Sequence, residues 1–182
     1  DPQLGRGSHE VILEASLYGF ESQVDTSQDF NIRPEDTTLT FQWIPSNSIS
    51  YVEETTLRIF YKLSNGTPVL DATVNVTLFE MWTAVYNNES GAYEVRFRGI
   101  DEQPGLGVHS FVIRAWKYNY LGIMDNTQTL TIDEEETSIY ATWTNGNEIT
   151  YLESTTLLVN YTMSNGTEIP EALVEVTIDS VN

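Results

Sequence analysis

Apolar and polar residues alternate with a period of two along nearly the whole chain, and no segment shows the spacing of an amphipathic helix. Successive side chains of a strand point to opposite faces, so the alternation predicts strands with one buried face. The predicted inward-facing residues are Val11, Leu13, Ala15, Phe30, Ile32, Leu39, Phe41, Trp43, Thr55, Leu57, Ile59, Tyr61, Leu63, Ala72, Val74, Val76, Leu78, Tyr93, Val95, Phe97, Phe111, Ile113, Ala115, Leu130 and Ile132. Residues 79–86 add a strand of large side chains. The pattern predicts an all-β protein.

The same pattern occurs twice in the sequence, at an offset of 100 residues with no insertion. At that offset, 18 of the 42 positions in residues 37–78 and 11 of the 36 positions in residues 1–36 are identical. A fixed period without insertions is typical of a tandem array. The sequence therefore predicts three parts: C-terminal strands of one repeat in residues 1–35, a complete repeat in 36–134, and N-terminal strands of a further repeat in 135–182.

Turn and linker signals divide each period into short strands. Asn-Gly at 65–66 and 165–166 favours the positive φ angles of a tight hairpin turn. Charged segments at 33–36 and 133–136 mark the predicted linkers between repeats. Seven short strands in about 100 residues, with frequent turns, indicate an antiparallel β-sandwich for each repeat.

One stretch resembles a known family. Asn65-Gly-Thr-Pro-Val-Leu-Asp-Ala-Thr-Val-Asn-Val76 and its counterpart at 165–176 keep an Ala-x-Val-x-Val core after a glycine turn. This resembles the turn and strand of prokaryotic immunoglobulin-like surface repeats, the invasin-type and carboxypeptidase-regulatory-like modules. The resemblance implies tandem immunoglobulin-like sandwiches in bacterial or archaeal surface stalks and lattices. It implies no catalytic residues.

Composition narrows the partners and the compartment. The formal net charge of −19 argues against nucleic acid and anionic lipid as partners, and 40% hydrophobic residues argue for a folded chain. The absence of cysteine excludes disulfides and thiolate metal sites. Five Asn-x-Ser/Thr sequons favour an extracellular or cell-surface location, and the predicted glycan acceptors are Asn65, Asn75, Asn88, Asn160 and Asn165.

Two groups of residues are weighed as metal or catalytic sites. His9 and His109 occupy the same repeat position, but no other residue at ligand spacing accompanies them, so we expect them to pack at the rim of the sandwich. The carboxylates of the second linker are calcium candidates, although the first linker has Arg and Pro at two of the four positions. These candidates are Asp133, Glu134, Glu135 and Glu136. A solvated linker without a cofactor is the favoured interpretation.

The tryptophans suggest one contact site. Trp43 and Trp143 have the inward phase of a core residue, whereas Trp116 has the outward phase and is replaced by Ser16 in the other copy. An exposed Trp116 is a candidate contact to a neighbour or a ligand.

No acid–base pair, nucleophile or phosphate-binding loop can be assembled from the sequence, so an enzyme is the least favoured function. The favoured function is a structural extracellular array, such as a stalk, filament, sheath or S-layer. The alternative is an adhesin or carbohydrate-binding surface module. The partners we expect are further copies of the repeat, joined by covalent continuation, which is favoured, or by head-to-tail strand pairing between subunits.

Overall fold

The structure is a computed structural model that describes residues 4–101 and 103–178. The first three residues of the predicted segment 1–35 and the last four of 135–182 lie outside this range. Within it the chain is all-β: turns join fifteen strands. The strands are β1 (Gly7–Ala15), β2 (Gln23–Ile32), β3 (Thr37–Ile44), β4 (Ser48–Ser50), β5 (Glu54–Leu63), β6 (Thr73–Thr77), β7 (Met81–Thr83), β8 (Val85–Asn87), β9 (Ala92–Arg98), β10 (Gly107–Ser110), β11 (Val112–Trp116), β12 (Ile123–Asp125), β13 (Thr129–Asp133), β14 (Thr137–Trp143) and β15 (Leu157–Met163).

Strands β3 to β13 form the central unit, built from facing sheets. One sheet has the strand order β3-β5-β9-β8, and the opposite layer consists of β12-β11-β6-β7 and β10-β13-β4. A single residue, Phe111, separates β10 from β11, so these two segments form one interrupted strand. The arrangement is consistent with a β-sandwich.

A shared core joins the two layers. Fully buried apolar side chains come from β5 and β9 on one side and from β6, β11 and β13 on the other. Aromatic rings cross between them: Phe97 lies 5.1 Å from Phe111, and Trp43 lies 6.2 Å from Phe111, measured between ring centroids. Burial of these large side chains is the main stabilising contribution to the unit.

Two hairpins flank the central unit. In the N-terminal hairpin, β1 pairs with β2, and in the C-terminal hairpin β14 pairs with β15, both antiparallel. The core cluster contains no residue from either hairpin. Each hairpin is therefore a two-stranded layer without a facing sheet among the described residues.

Three details differ from the sequence prediction. Residues 79–86 do not form one strand, because β7 and β8 are separated at Ala84, and Phe79, Met81 and Val85 are exposed. The sandwich is not purely antiparallel, since β4 runs parallel to β13. Residues 172–178 form no strand, although they repeat the pattern of β6. The partner of β6 is β11, and residues 172–178 have no corresponding strand beside them in the structure.

The described part of the chain contains no helix of the length and apolar character needed to cross a membrane.

Candidate functional site

Local geometry recurs at positions 100 residues apart. The His9 ring nitrogen Nε2 lies 2.7 Å from the Gly5 carbonyl oxygen, and His109 Nε2 lies 2.9 Å from that of Gly105. Gly7 pairs with Ile32 in the first hairpin, just as Gly107 pairs with Ile132 in the central unit. The N–H of Thr67 donates to Asn65 Oδ1, and that of Thr167 to Asn165 Oδ1, both at 2.9 Å. Both histidines thus make the same contact to the glycine four residues before them.

Burial, in contrast, differs sharply at those matched positions. Ile113 is 0% exposed, whereas Leu13 is 52% exposed; Leu130 is 0% exposed, whereas Phe30 is 45% exposed. The same holds at the other end, where Val76 is 0% exposed and Val176 is 58% exposed. The counterparts of core side chains of the central unit are therefore exposed in the terminal segments.

These exposed residues form two apolar faces. The N-terminal face is the inward side of β1 and β2, the counterpart of β10 to β13. The C-terminal face is the inward side of β14, β15 and residues 172–178, the counterpart of β3, β5 and β6. A groove of about 380 Å³ crosses the C-terminal face, lined by Ile139, Tyr161, Ala172, Leu173, Val174 and Glu175. Exposed apolar surface of this kind is a candidate interaction site.

The central unit shows what covers such faces. There β11 pairs with β6 and packs over β3 and β5 across the core. In that register Ile113 lies opposite Val76, and Ala115 opposite Val74. Each terminal face therefore carries residues whose counterparts pack together in the central unit.

The first linker is bound to the central unit through its backbone. The Glu35 N–H donates to the Asn119 carbonyl at 2.9 Å, and the Leu121 N–H donates to the Glu35 carbonyl at 2.9 Å. The Tyr61 hydroxyl donates to the Leu121 carbonyl at 2.7 Å, which fixes this loop to the core. At the same end, a methyl group added at Gly5 would lie 2.5 Å from the Tyr118 hydroxyl oxygen.

The second linker is bound through side chains. Glu135 Oε1 accepts a hydrogen bond from the Val52 N–H at 3.0 Å, and Asp133 Oδ2 accepts one from the Ser48 hydroxyl at 3.3 Å. Hydrogen bonds from Ser50 and from the Val52 N–H lower the pKa of Glu135 below its ordinary value. The prediction of a solvated linker is therefore wrong for Glu135, which is half-buried, while Glu134 and Glu136 are exposed.

The calcium candidates do not converge in the structure. Across residues 4–101 and 103–178, no group of three or more histidine, cysteine, aspartate or glutamate side chains is arranged to hold a metal ion. Two of the four candidates, Asp133 and Glu135, instead accept hydrogen bonds from the central unit.

Four of the five predicted glycan acceptors are exposed: Asn65, Asn88, Asn160 and Asn165. Asn75 differs. Its Nδ2 donates to the Met81 sulfur at 3.1 Å, and its Oδ1 is buried without a hydrogen-bond partner. Asn75 is thus only partly exposed, because β7 packs beside it.

Trp116 is 43% exposed, as its outward phase predicts. Trp43, by contrast, packs partly buried against the core, and its counterpart Trp143 is exposed for lack of a facing sheet. No aromatic ring stacks on Trp116 in the part of the chain that the structure describes.

Sequence reasoning missed the linker contacts. A run of acidic residues looks the same whether it is solvated or bound, and the signal lies only in the recurrence of Glu35 and Glu135 at one repeat position.

No protein-family profile, curated protein or solved structure matches this chain.

Proposed function

We propose that the chain is a section of a tandem array of immunoglobulin-like β-sandwich repeats with a 100-residue period. The array serves as a structural element outside the cell, such as a stalk, filament, sheath or S-layer. Neighbouring repeats join end to end, and each terminal face is covered by the complementary half-sandwich of a further repeat, in the same polypeptide or in a second copy.

One observation carries this proposal: matched positions share their local hydrogen bonds but not their burial. Leu13 and Val176 have the sequence environment of core residues, and both lie on the surface. Exposing many such side chains is unfavourable by about 25 cal/mol for each Å² of apolar area. A covering half-sandwich removes that cost.

The net charge is compatible with an array that is exposed to water and that associates with its copies only through matched surfaces. With a net charge of −19, adjacent arrays repel one another at long range, so association is confined to surfaces with matched apolar faces. Asn65, Asn88 and Asn165 present sequons at exposed turns, which is compatible with a glycosylated surface. These features favour an extracellular location.

The experiment is to extend the chain with the rest of a repeat. At an offset of 100, a second copy of residues 83–136 placed after Asn182 supplies every strand that the C-terminal face lacks. We expect the amides of β15 to gain protection from hydrogen exchange, and Trp143 to move to an apolar environment with blue-shifted emission. A shuffled version of the added segment is the control. Equal exchange of β15 in the extended and shuffled chains would refute the array.

The adhesin alternative depends on Trp116. An exposed indole can stack on a sugar or contact a partner. A glycan-binding measurement comparing the chain with Trp116→Ser, the residue at the matching position 16, separates this alternative from a purely structural role.

A further inference from the structure

We propose that the linker between repeats is a defined joint in which one glutamate is bound on both sides, by its side chain to the repeat before it and by its backbone to the repeat after it. We further propose that the exposed 150–153 turn and 17–21 loop bind the linker glutamate of a neighbouring repeat. Both statements rest on the proposed array, because each linker within this chain shows one half of the joint.

The backbone half is visible at Glu35. Its N–H and carbonyl form a parallel bridge to the 117–121 loop, through Asn119 and Leu121. The side chain of Glu35 is exposed and is not used in this contact. Asn119 has φ of 70°, and this left-handed conformation turns its carbonyl toward the linker.

The side-chain half is visible at Glu135. Its carboxylate accepts the Val52 N–H at the 50–53 turn. That turn is held by two internal hydrogen bonds: the Ser50 N–H donates to Glu53 Oε2 at 2.9 Å, and the Glu53 N–H donates to the Ser50 carbonyl at 3.0 Å. The Ser50 and Glu53 N–H groups are used within the turn, and the Val52 N–H is the donor that the turn presents to the Glu135 carboxylate.

Glu35 and Glu135 occupy the same position of the 100-residue period. Each therefore displays one half of the same joint. Combined, they describe a linker whose glutamate side chain is bound to the preceding sandwich and whose backbone extends the loop of the following one. A segment bound on both sides sets the angle between two sandwiches.

Both binding surfaces recur, already formed, at the ends of the chain. In the 150–153 turn the Thr150 N–H donates to Glu153 Oε2 at 2.8 Å, and the Glu153 N–H donates to the Thr150 carbonyl at 3.0 Å. In the 17–21 loop the Phe20 N–H donates to the Leu17 carbonyl at 2.9 Å, as the Tyr120 N–H does to Lys117 at 3.1 Å.

The exposed side chains agree with this assignment. Tyr151 and Leu152 of the turn, and Leu17, Tyr18 and Phe20 of the loop, are largely or fully exposed. The matching Tyr118 lies beside Gly5 of the preceding hairpin. The occupant we assign to both surfaces is therefore the acidic linker of an adjacent repeat, and the N–H of Leu152 is the donor for its glutamate.

The joint can be tested in the full chain with spin labels, because the sequence contains no native cysteine. The pair Thr83→Cys and Thr142→Cys reports on the second linker, and Gln28→Cys with Thr83→Cys reports on the first. All three positions are exposed. We expect one narrow distance distribution for each pair in double electron–electron resonance.

Glu135→Ala should broaden the 83–142 distribution and leave the 28–83 distribution unchanged. Two matched controls remove the same charge without a side-chain contact: Glu134→Ala beside it and Glu35→Ala at the equivalent position. Both should leave both distributions narrow. An unchanged 83–142 distribution in Glu135→Ala, or equal broadening in Glu134→Ala, overturns the side-chain half.

The backbone half is tested at Asn119. Valine is strongly disfavoured at positive φ, whereas glycine, which occupies position 19, is tolerated. Asn119→Val should broaden the 28–83 distribution, and Asn119→Gly should leave it narrow. If both variants keep the narrow distribution, the loop does not orient the linker. A thermal melt of each variant confirms that the central unit remains folded.

The terminal surfaces are tested in the chain extended by a second copy of residues 83–136. There the added copy of Glu135 should protect the Leu152 amide from exchange, and alanine at that added position should remove the protection. If β15 becomes protected while Leu152 does not, the array stands, and the proposed binding of the glutamate to the 150–153 turn is wrong. If neither is protected, the array itself fails.

Discussion

The indole ring of Trp43 packs against the phenyl ring of Phe111, with 6.2 Å between their centroids, and this contact joins the two facing layers of the central unit. Phe111 also interrupts the strand formed by β10 and β11. We expect Phe111→Ala to lower the free energy of unfolding by about 3–5 kcal/mol, because the removed ring is completely buried. Urea denaturation followed by circular dichroism measures the loss.

Val11 is the matched control for that substitution, since it occupies the equivalent position in the N-terminal hairpin. Val11→Ala should cost less than about 1 kcal/mol in the same measurement, because no facing sheet among the described residues is packed on it. Similar losses for the two variants would show that both faces are equally covered.

A second prediction concerns alkaline pH. Burial raises the pKa of Tyr61 and Tyr93 above the ordinary value of 10.0. A raised pKa in the folded state means that the neutral hydroxyls contribute stability below pH 10, and that this contribution is lost as pH rises through the folded-state pKa. We therefore expect the melting temperature to fall above about pH 10.

Tyr61→Phe and Tyr93→Phe should each flatten that decline. They should also lower stability at neutral pH by about 1 kcal/mol each, because the hydroxyls donate to the Leu121 and Val69 carbonyls. Tyr151→Phe, at a fully exposed tyrosine, should leave the profile unchanged. A decline that persists in the double variant Tyr61→Phe, Tyr93→Phe would assign the effect to other groups.

A third prediction separates covalent continuation from pairing between two copies. If β1 of one copy paired with residues 172–178 of another in the register of β11 and β6, Glu14 would lie opposite Glu175, where the centre places Arg114 opposite Asn75. Like charges directly opposite each other on a sheet are unfavourable. Self-association of this chain should therefore be weak.

Glu14→Arg should strengthen that self-association by roughly two- to fivefold at low salt, and so should Glu175→Arg. The double variant restores a like-charge pair and should return to the starting level. Sedimentation velocity measures all four proteins. Equal behaviour of the four would rule out this register between copies and leave covalent continuation.

A fourth prediction concerns glycans on native material. Asn65, Asn88, Asn160 and Asn165 are exposed, whereas the Nδ2 atom of Asn75, to which a glycan would attach, donates to Met81. Peptide mass spectrometry should find modification at some of the first four and none at Asn75. Occupancy at Asn75 would require β7 to move away. A fully unmodified mass would remove the sequon support for a surface location.

The alternation of apolar and polar residues was sufficient to predict most strands, because a strand with one buried face places an apolar residue at every second position. It identified the buried residues Thr55, Leu57, Ile59 and Tyr61 of β5 and Tyr93, Val95 and Phe97 of β9, but not Ala92. It could not predict that residues 172–178 form no strand, since their sequence matches β6 and the difference lies in the absence of a strand beside them. Strand formation there depends on a partner, which local sequence does not record.

The candidate site divides in the same way. The apolar faces follow from the sequence pattern, because Leu13 and Val176 match core residues at an offset of 100. The linker contacts do not, because Glu134 and Glu135 are the same residue type in one acidic run and only one of them meets an amide donor. Which carboxylate is bound is decided by the placement of the 50–53 turn in space.

The parallel pairing of β4 with β13 has a mechanical consequence. Tension along the proposed array enters the central unit ahead of β3 and leaves it after β13. Because Ser48, Ile49 and Ser50 run in the same direction as Thr131, Ile132 and Asp133, such tension slides the two strands past each other and loads their hydrogen bonds together. An antiparallel hairpin pulled apart at its open end, opposite the turn, opens one bond at a time. Once β3 has transmitted the load to β4, a pulled repeat should therefore yield abruptly, at a force set by the rate of unfolding.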